Sequence, residues 1–291
     1  GAAGSALARS LGVAPIVGVH GIFIALGALG AALTFLLCRR HGVTRLVALA
    51  AAAWMLGVDQ WSLAAIEGAR PKIATTTLGL AALLVAPKRP MLGGAFAGAA
   101  TLCWQPGLVF ALGAMVEVYR SRVRTPERAA AIGWLCGGGA VPFLALMVYL
   151  ATNSALSPFF EQAVLFNLQY VDLHARTPAD TIRRLWVLAT QWNAIELALL
   201  PLAVIGFRIA RGTPPLGLSV TTAAYVGLLF ISVQAWPDTI LLAPGIGVAL
   251  GLGLSALLGQ ALSSSAAAVI VTCAALVNLA APSSSRFFPP I

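Results

Sequence analysis

Of the 291 residues, 59% are hydrophobic and only 9% charged, and the mean hydropathy is +0.91. A soluble domain typically carries about 25% charged residues, so this composition excludes a chain that stays dissolved by itself and points to an integral membrane protein. The net charge of +9 reflects sixteen Arg and two Lys against nine acids, the cations set in short clusters between apolar runs with no basic stripe carrying interleaved aromatics. That is how topology signals are distributed, and it excludes nucleic acid as a partner.

The runs at 78–86, 241–258 and 266–281 do not alternate, unlike the strands of a membrane barrel. Helices remain, because in lipid each segment must satisfy its own backbone polar groups. In chain order, spans are predicted at 14–38, 46–66, 70–86, 91–104, 106–118, 129–151, 186–207, 215–233, 240–258 and 266–281. The expected fold class is all-α: a polytopic bundle of about ten spans, some short or broken, forming one transmembrane domain over 1–291. Trp104-Gln105-Pro106-Gly107 either turns the chain between two passes or breaks one long helix. Two passes put Arg39-Arg40 and Arg45, Lys88-Arg89, Arg120 to Arg128, and Arg208 with Arg211 on one side, eleven Lys/Arg against seven. The positive-inside rule makes that side cytoplasmic.

The outward stretches are then 59–72, 152–184 and 234–239. The first holds Glu67-Gly68-Ala69-Arg70-Pro71-Lys72. Pro71 suits the first turn of the next helix, while Arg70 and Lys72 offer a planar fork and a point charge to a phosphate. In the second, Ser157-Pro158 is a predicted N-cap and first-turn pair. The helix after it would gather Glu161, Gln162, Gln169 and Asp172 within an arc of roughly 100°, with Phe159, Phe160, Val164, Phe166 and Tyr170 as apolar bulk. That is the pattern of a helix lying in the interface plane. Thr177-Pro178-Ala179-Asp180 reads as a further helix start with a capping box. His174 reads as a surface residue.

Glu196, preceded by Gln191 and Asn193, falls roughly 18 Å from Arg208 along a helix, at a depth where carboxylates are paired, functional or reached by water. Gln234-Ala235-Trp236-Pro237-Asp238 is an outward turn with an interfacial aromatic and one acid. Gly137-Gly138-Gly139 lies inside a span and predicts close helix packing. Cys38, Cys103, Cys136 and Cys273 show no metal or redox spacing and read as small buried hydrophobes.

Several stretches together resemble the C-type membrane glycosyltransferase superfamily, which includes protein O-mannosyltransferases and the lipid A aminoarabinose transferase. Leu11-Gly12-Val13-Ala14-Pro15, leading to Cys38-Arg39-Arg40-His41-Gly42, is similar to the family's second span. Glu67 to Lys72 is similar to its "(E)xARPE" stretch, with Lys72 where an acid is usual. Lys88-Arg89-Pro90 and the helix from Leu92 to Leu102 look like its basic loop and "GLLLGLAFLTK" helix, and Leu242-Ala243-Pro244 like its late "LLP" helix. The resemblance implies transfer of a sugar from a polyprenyl-phosphate carrier to an acceptor on the outward face of the plasma (inner) membrane. Arg70, Lys72 and Gln105 would border the carrier phosphate, Glu161, Tyr170, Asp172 and Asp238 would line the outward cavity, and Glu67, at the outward mouth, would belong to the same substrate- and lipid-phosphate-binding set. Where the family often has a carrier-binding Lys, Cys103-Trp104-Gln105 stand here. The family's catalytic carboxylate follows its first span, and no Asp or Glu precedes Asp59. Either the chain begins beyond that loop or the protein is not a working transferase, and no catalytic residue is assigned. No cofactor is expected, although a divalent metal is compatible with the family's chemistry. The rival readings are a multi-span transporter, which calls for paired mid-membrane charges and inverted repeats, and a non-catalytic membrane scaffold.

Overall fold

The computed structural model describes residues 14–66, 70–165, 215–232 and 236–258, with Ser10, Gly12, Thr177, Ala179, Asp180, Ile182, Arg183 and Val269 besides. Every regular element among them is helical: α1 (Pro15–Arg40), α2 (Arg45–Gly57), α3 (Asp59–Ile66), α4 (Pro71–Val85), α5 (Pro90–Cys103), α6 (Leu108–Ser121), α7 (Thr125–Thr152), α8 (Leu156–Phe160), α9 (Leu216–Ser232) and α10 (Ala243–Leu258). Short 3-10 turns at Gln105–Gly107 and Trp236–Leu242, and a π turn at Glu161–Leu165, complete the set. Three stretches are long and apolar enough to cross a bilayer, Pro15–Arg40, Thr125–Thr152 and Thr239–Ala256; the other apolar helices are shorter. The predicted spans 186–207 and 266–281 lie outside the described residues, apart from Val269 in the latter.

Two compact units group these elements. The first comprises residues 1–80, 191–215 and 239–291, the second 81–190 and 216–238. In the first, α1 ends in a Schellman motif. Gly42 has φ +84°, the Val43 N–H bonds the Cys38 carbonyl at 3.1 Å and the Gly42 N–H bonds the Arg39 carbonyl at 3.2 Å. Glycine reaches that conformation without a Cβ penalty. Arg39 then donates to the Val43 carbonyl at 2.6 Å, locking the turn into α2. The predicted span 46–66 is divided at Val58, whose backbone is extended. The break aims Trp61 inward: the ring is fully buried, packed where Gly30 has no side chain, and its indole N–H donates to the Gly27 carbonyl at 3.3 Å. Ser62 donates to the Leu56 carbonyl, satisfying a group the interrupted helix leaves orphaned.

In the second unit, the Trp104–Gly107 stretch is a turn between separate helices. Arg122 donates to the Pro87 carbonyl at 3.3 Å, so the end of α6 returns to the turn from which α5 departs, and the two helices run antiparallel. At the far end of the pair, Gly107 sits against the Ala100 backbone, with room for no Cβ. The glycine run in α7 packs as expected. A methyl on Gly138 would fall on the Met91 carbonyl, one on Gly94 on the Leu135 carbonyl, and one on Gly98 on the Gly139 carbonyl. Pro142 stands inside α7 and gives no N–H to the Gly138 carbonyl one turn back. Most of α7 is bare: Trp134 and Leu144 are each 62% exposed.

Some local expectations change. Cys38 is buried, but Cys103 is half-buried and Cys136 exposed, because an apolar side chain on a lipid-type surface has no need of burial. Cys273 lies outside the described residues. Helix α8 is capped at Ala155, so Ser157 is already helical; its hydroxyl donates to Glu161 Oε1 at 3.1 Å and caps no backbone group. From Glu161 the chain winds as a π turn, so the 100° arc does not carry through 161–165. Gln169 and Asp172 lie outside the described residues. The capping box is present: the Thr177 N–H donates to Asp180 Oδ2 at 3.3 Å, and the Asp180 N–H donates to Thr177 Oγ1 at 3.2 Å.

The glycine contacts make a direct test. Gly98→Leu forces the α5–α7 backbones apart and should destabilise the detergent-solubilised chain by about 1–3 kcal/mol, whereas Gly137→Ala, which meets nothing within 4 Å, should not lower its melting temperature. Thermal unfolding followed by fluorescence-detected gel filtration reads both; equal effects would show that the α5–α7 contact is not the tight one.

Candidate functional site

The predicted phosphate-binding cations stand at the start of α4. Pro71 is its first residue, where the absent N–H costs nothing, and the Ile73 N–H bonds the Arg70 carbonyl at 3.1 Å. Arg70 is exposed and Lys72 half-buried, and each already has a polar or electrostatic partner in the chain. Behind them Thr75, Thr76 and Thr77 are at most 1% exposed. Thr76 Oγ1 donates to the Lys72 carbonyl at 2.8 Å and Thr77 Oγ1 to the Leu26 carbonyl at 2.9 Å. The second bond reaches across 51 residues and pins the first turns of α4 against α1. Gly30 leaves the space for both the Thr77 hydroxyl and the Trp61 ring. These bonds hold the first turns of α4, where Arg70 and Lys72 bring two cations to a helix N-terminus, an end that favours an anion.

The other predicted site residues are scattered or undescribed. Gln105 is exposed in the 3-10 turn of the second unit, beside Trp104, which meets Tyr225 of α9 edge-on at 6.1 Å. Glu161 is exposed and hydrogen-bonded to Ser157. Asp238 lies in the Trp236–Leu242 turn, and its side chain is outside what the structure describes, as are Glu67, Tyr170, Asp172, His174 and Glu196. Among the described residues, the predicted site residues that stand near one another are Arg70 and Lys72, two positions apart at the start of α4. No cluster of three His, Cys, Asp or Glu fit for a metal occurs among the described residues.

One residue escaped the sequence reading. Glu117, near the end of α6, is 7% exposed, and its Oε1 accepts the Gly217 N–H of α9 at 3.0 Å. A carboxylate on the first turn of a helix satisfies an orphan donor and complements the helix dipole. Glycine at 113 and 217 lets the two backbones close up, and Thr221 Oγ1 donates to the Gly217 and Val109 carbonyls at 2.9 and 3.3 Å. The signal was a lone acid one turn after a glycine in a predicted span, hidden by its nearness to the Arg120 cluster.

Comparison with protein-family models, with curated proteins and with solved structures gave no match to any of them.

Glu117→Ala should leave the Gly217 donor buried and unpaired and destabilise the chain by about 1–3 kcal/mol, while Glu117→Gln, which keeps an acceptor oxygen, should retain much of that stability. Melting temperatures of the two purified variants check this; equal losses would mean that charge rather than the hydrogen bond holds α9.

Proposed function

We propose that this chain is a multi-pass plasma-membrane protein of glycosyltransferase type that takes a sugar from a polyprenyl-phosphate carrier and passes it to an acceptor on the outward face. The single observation that supports the reading is the start of α4, where Arg70 and Lys72 flank Pro71 on a base held by Thr76 and Thr77, within the stretch that resembles the family's outward motif. Planar guanidinium and ammonium groups at a helix N-terminus match a phosphate diester by charge and by donor count. The carrier's lipid tail explains why so apolar a chain would hold such a site. By the same resemblance, Gln105 is assigned with Arg70 and Lys72 to the carrier phosphate, and Glu161, Tyr170, Asp172 and Asp238 to the outward cavity. The transporter reading gains nothing from Glu117, whose carboxylate is already committed to the Gly217 N–H.

Orientation follows from charge. Helix α7 has 28 residues, about 42 Å, enough to cross a bilayer. Its basic end would face the cytoplasm. In a cysteine-free background, Val123→Cys should resist an impermeant thiol reagent in intact cells and Ser154→Cys should react. The reverse pattern would overturn the orientation and with it the outward site.

Carrier binding tests the site. Arg70→Gln with Lys72→Gln removes charge-assisted hydrogen bonds of about 1.5–3 kcal/mol each, so affinity for a polyprenyl-phosphate sugar should fall at least about tenfold with expression unchanged. Affinity equal to that of the unaltered chain would make these residues plain interface markers.

A further inference from the structure

The second unit carries an open groove of about 620 Å3 that the transfer reading does not use. Met91, Leu92 and Ala95 of α5 form one wall, Trp134 and Val141 of α7 the other, and Arg89 stands at one end. The volume falls in the range of small-molecule sites, about 300–1,000 Å3. The wall residues are also on the surface: Met91 is 50% and Val141 47% exposed. Gly138 sets the groove's depth, because its backbone closes directly on Met91 and leaves the bulky side chains to rise on either side.

The Arg89 end is strongly basic. Lys88 and Arg89 are both exposed in the turn before α5. Arg122, bonded to the Pro87 carbonyl, brings a third cation to the same turn. Arg128 in turn donates from Nε to the Arg122 carbonyl at 2.9 Å, with its guanidinium 4.3 Å from the centre of the Tyr119 ring. The acid of this stretch is Glu127, in the first turn of α7. An apolar trough ended by cations is complementary to a ligand with a hydrocarbon chain and an anionic phosphate. A free phosphate would leave the trough unfilled, and a zwitterionic lipid carries a cation of its own to these arginines.

We propose that this groove binds one anionic glycerophospholipid of the surrounding bilayer, its acyl chain between α5 and α7 and its phosphate at Lys88, Arg89 and Arg122. The inference rests on the membrane reading above and is independent of sugar transfer. It concerns the basic end of the second unit, not the cations at the start of α4.

The full chain, purified in mild detergent, is exposed to equal amounts of phosphatidylglycerol and phosphatidylcholine, and retained lipid is counted by native mass spectrometry. Phosphatidylglycerol should be retained about tenfold over phosphatidylcholine, the scale expected for charge-assisted phosphate contacts. Lys88→Gln with Arg89→Gln should abolish the preference, and Ala95→Phe, which fills the trough and leaves the cations in place, should reduce retention of both lipids. Excess inorganic phosphate should not displace the bound lipid. Equal retention of the two lipids by the unaltered chain, a preference that survives the double substitution, an Ala95→Phe variant that binds normally, or displacement by phosphate would each overturn the proposal. Gel filtration of each variant separates misfolding from lost binding. Carbonate extraction of cell membranes tests the underlying reading separately, since a chain released into the aqueous phase would sink the membrane assignment before any lipid was counted.

Discussion

The carbonyl oxygens of Met91, Leu135 and Gly139 occupy the places where side chains on Gly138, Gly94 and Gly98 would begin. Helices that are apolar on nearly every face have no hydrophobic stripe to tell them which side to bury, so contact distance decides their partners. Where glycine stands on both helices, the backbones approach until van der Waals contact is made along the main chain. The first unit uses the same rule with a different filler: Gly27 and Gly30 on α1 receive the Trp61 ring, and Gly251 on α10 lies against Cys38 and Ala51. Large residues such as Leu36, Leu144 and Val148 are left facing outward, which a bilayer tolerates and water does not.

Polar groups then fix what packing alone leaves free. An apolar contact allows two helices to slide along each other, whereas the bond from the Gly217 N–H to Glu117 sets the level at which α9 begins relative to α6. The Thr77 hydroxyl does the same for α4 against α1. Thr34 Oγ1, bonded to the Gly30 carbonyl at 3.0 Å and near Met55 Sδ at 3.1 Å, holds α1 to α2. Each of these side chains is short, so each fixes register at little cost in conformational freedom.

Helix positions were legible in the sequence because long apolar runs admit few other structures; the helices Pro15–Arg40 and Pro71–Val85 fall within two residues of their predicted limits. The antiparallel course of α5 and α6 was legible from charge, since a single helix through Trp104 would have separated cations that Arg122 and Pro87 in fact join. The break at Val58 was not. Nothing in the run Met55-Leu56-Gly57-Val58 stops a helix as proline does, and the break depends on a pocket for Trp61 built by glycines thirty residues earlier. Within the candidate site, Pro71 revealed the helix start, and the threonines beneath it passed unnoticed because their partners, the Lys72 carbonyl for Thr76 and the Leu26 carbonyl for Thr77, are backbone atoms that any residue could have supplied. Glu117 was overlooked for a related reason: its partner is an N–H, and a sequence records no unpaired donors.

The antiparallel pair α5 and α6 has a mechanical consequence. Each helix has 14 residues, about 21 Å of rise, while a bilayer's hydrocarbon core is about 30 Å thick. In a bilayer entered from the basic turn, a hairpin of this length would end roughly 9 Å short of the opposite headgroups. A membrane answers such a mismatch by thinning locally or by letting headgroups and water sink toward the deficit. The exposed Gln105 amide sits at the other end of the pair, in the Trp104–Gly107 turn, and would offer a descending polar layer a donor and an acceptor. With the pair so placed, a lipid of the opposite leaflet would have its headgroup drawn below the general surface beside α5 and α6, at a dimple whose depth the length of two helices would set.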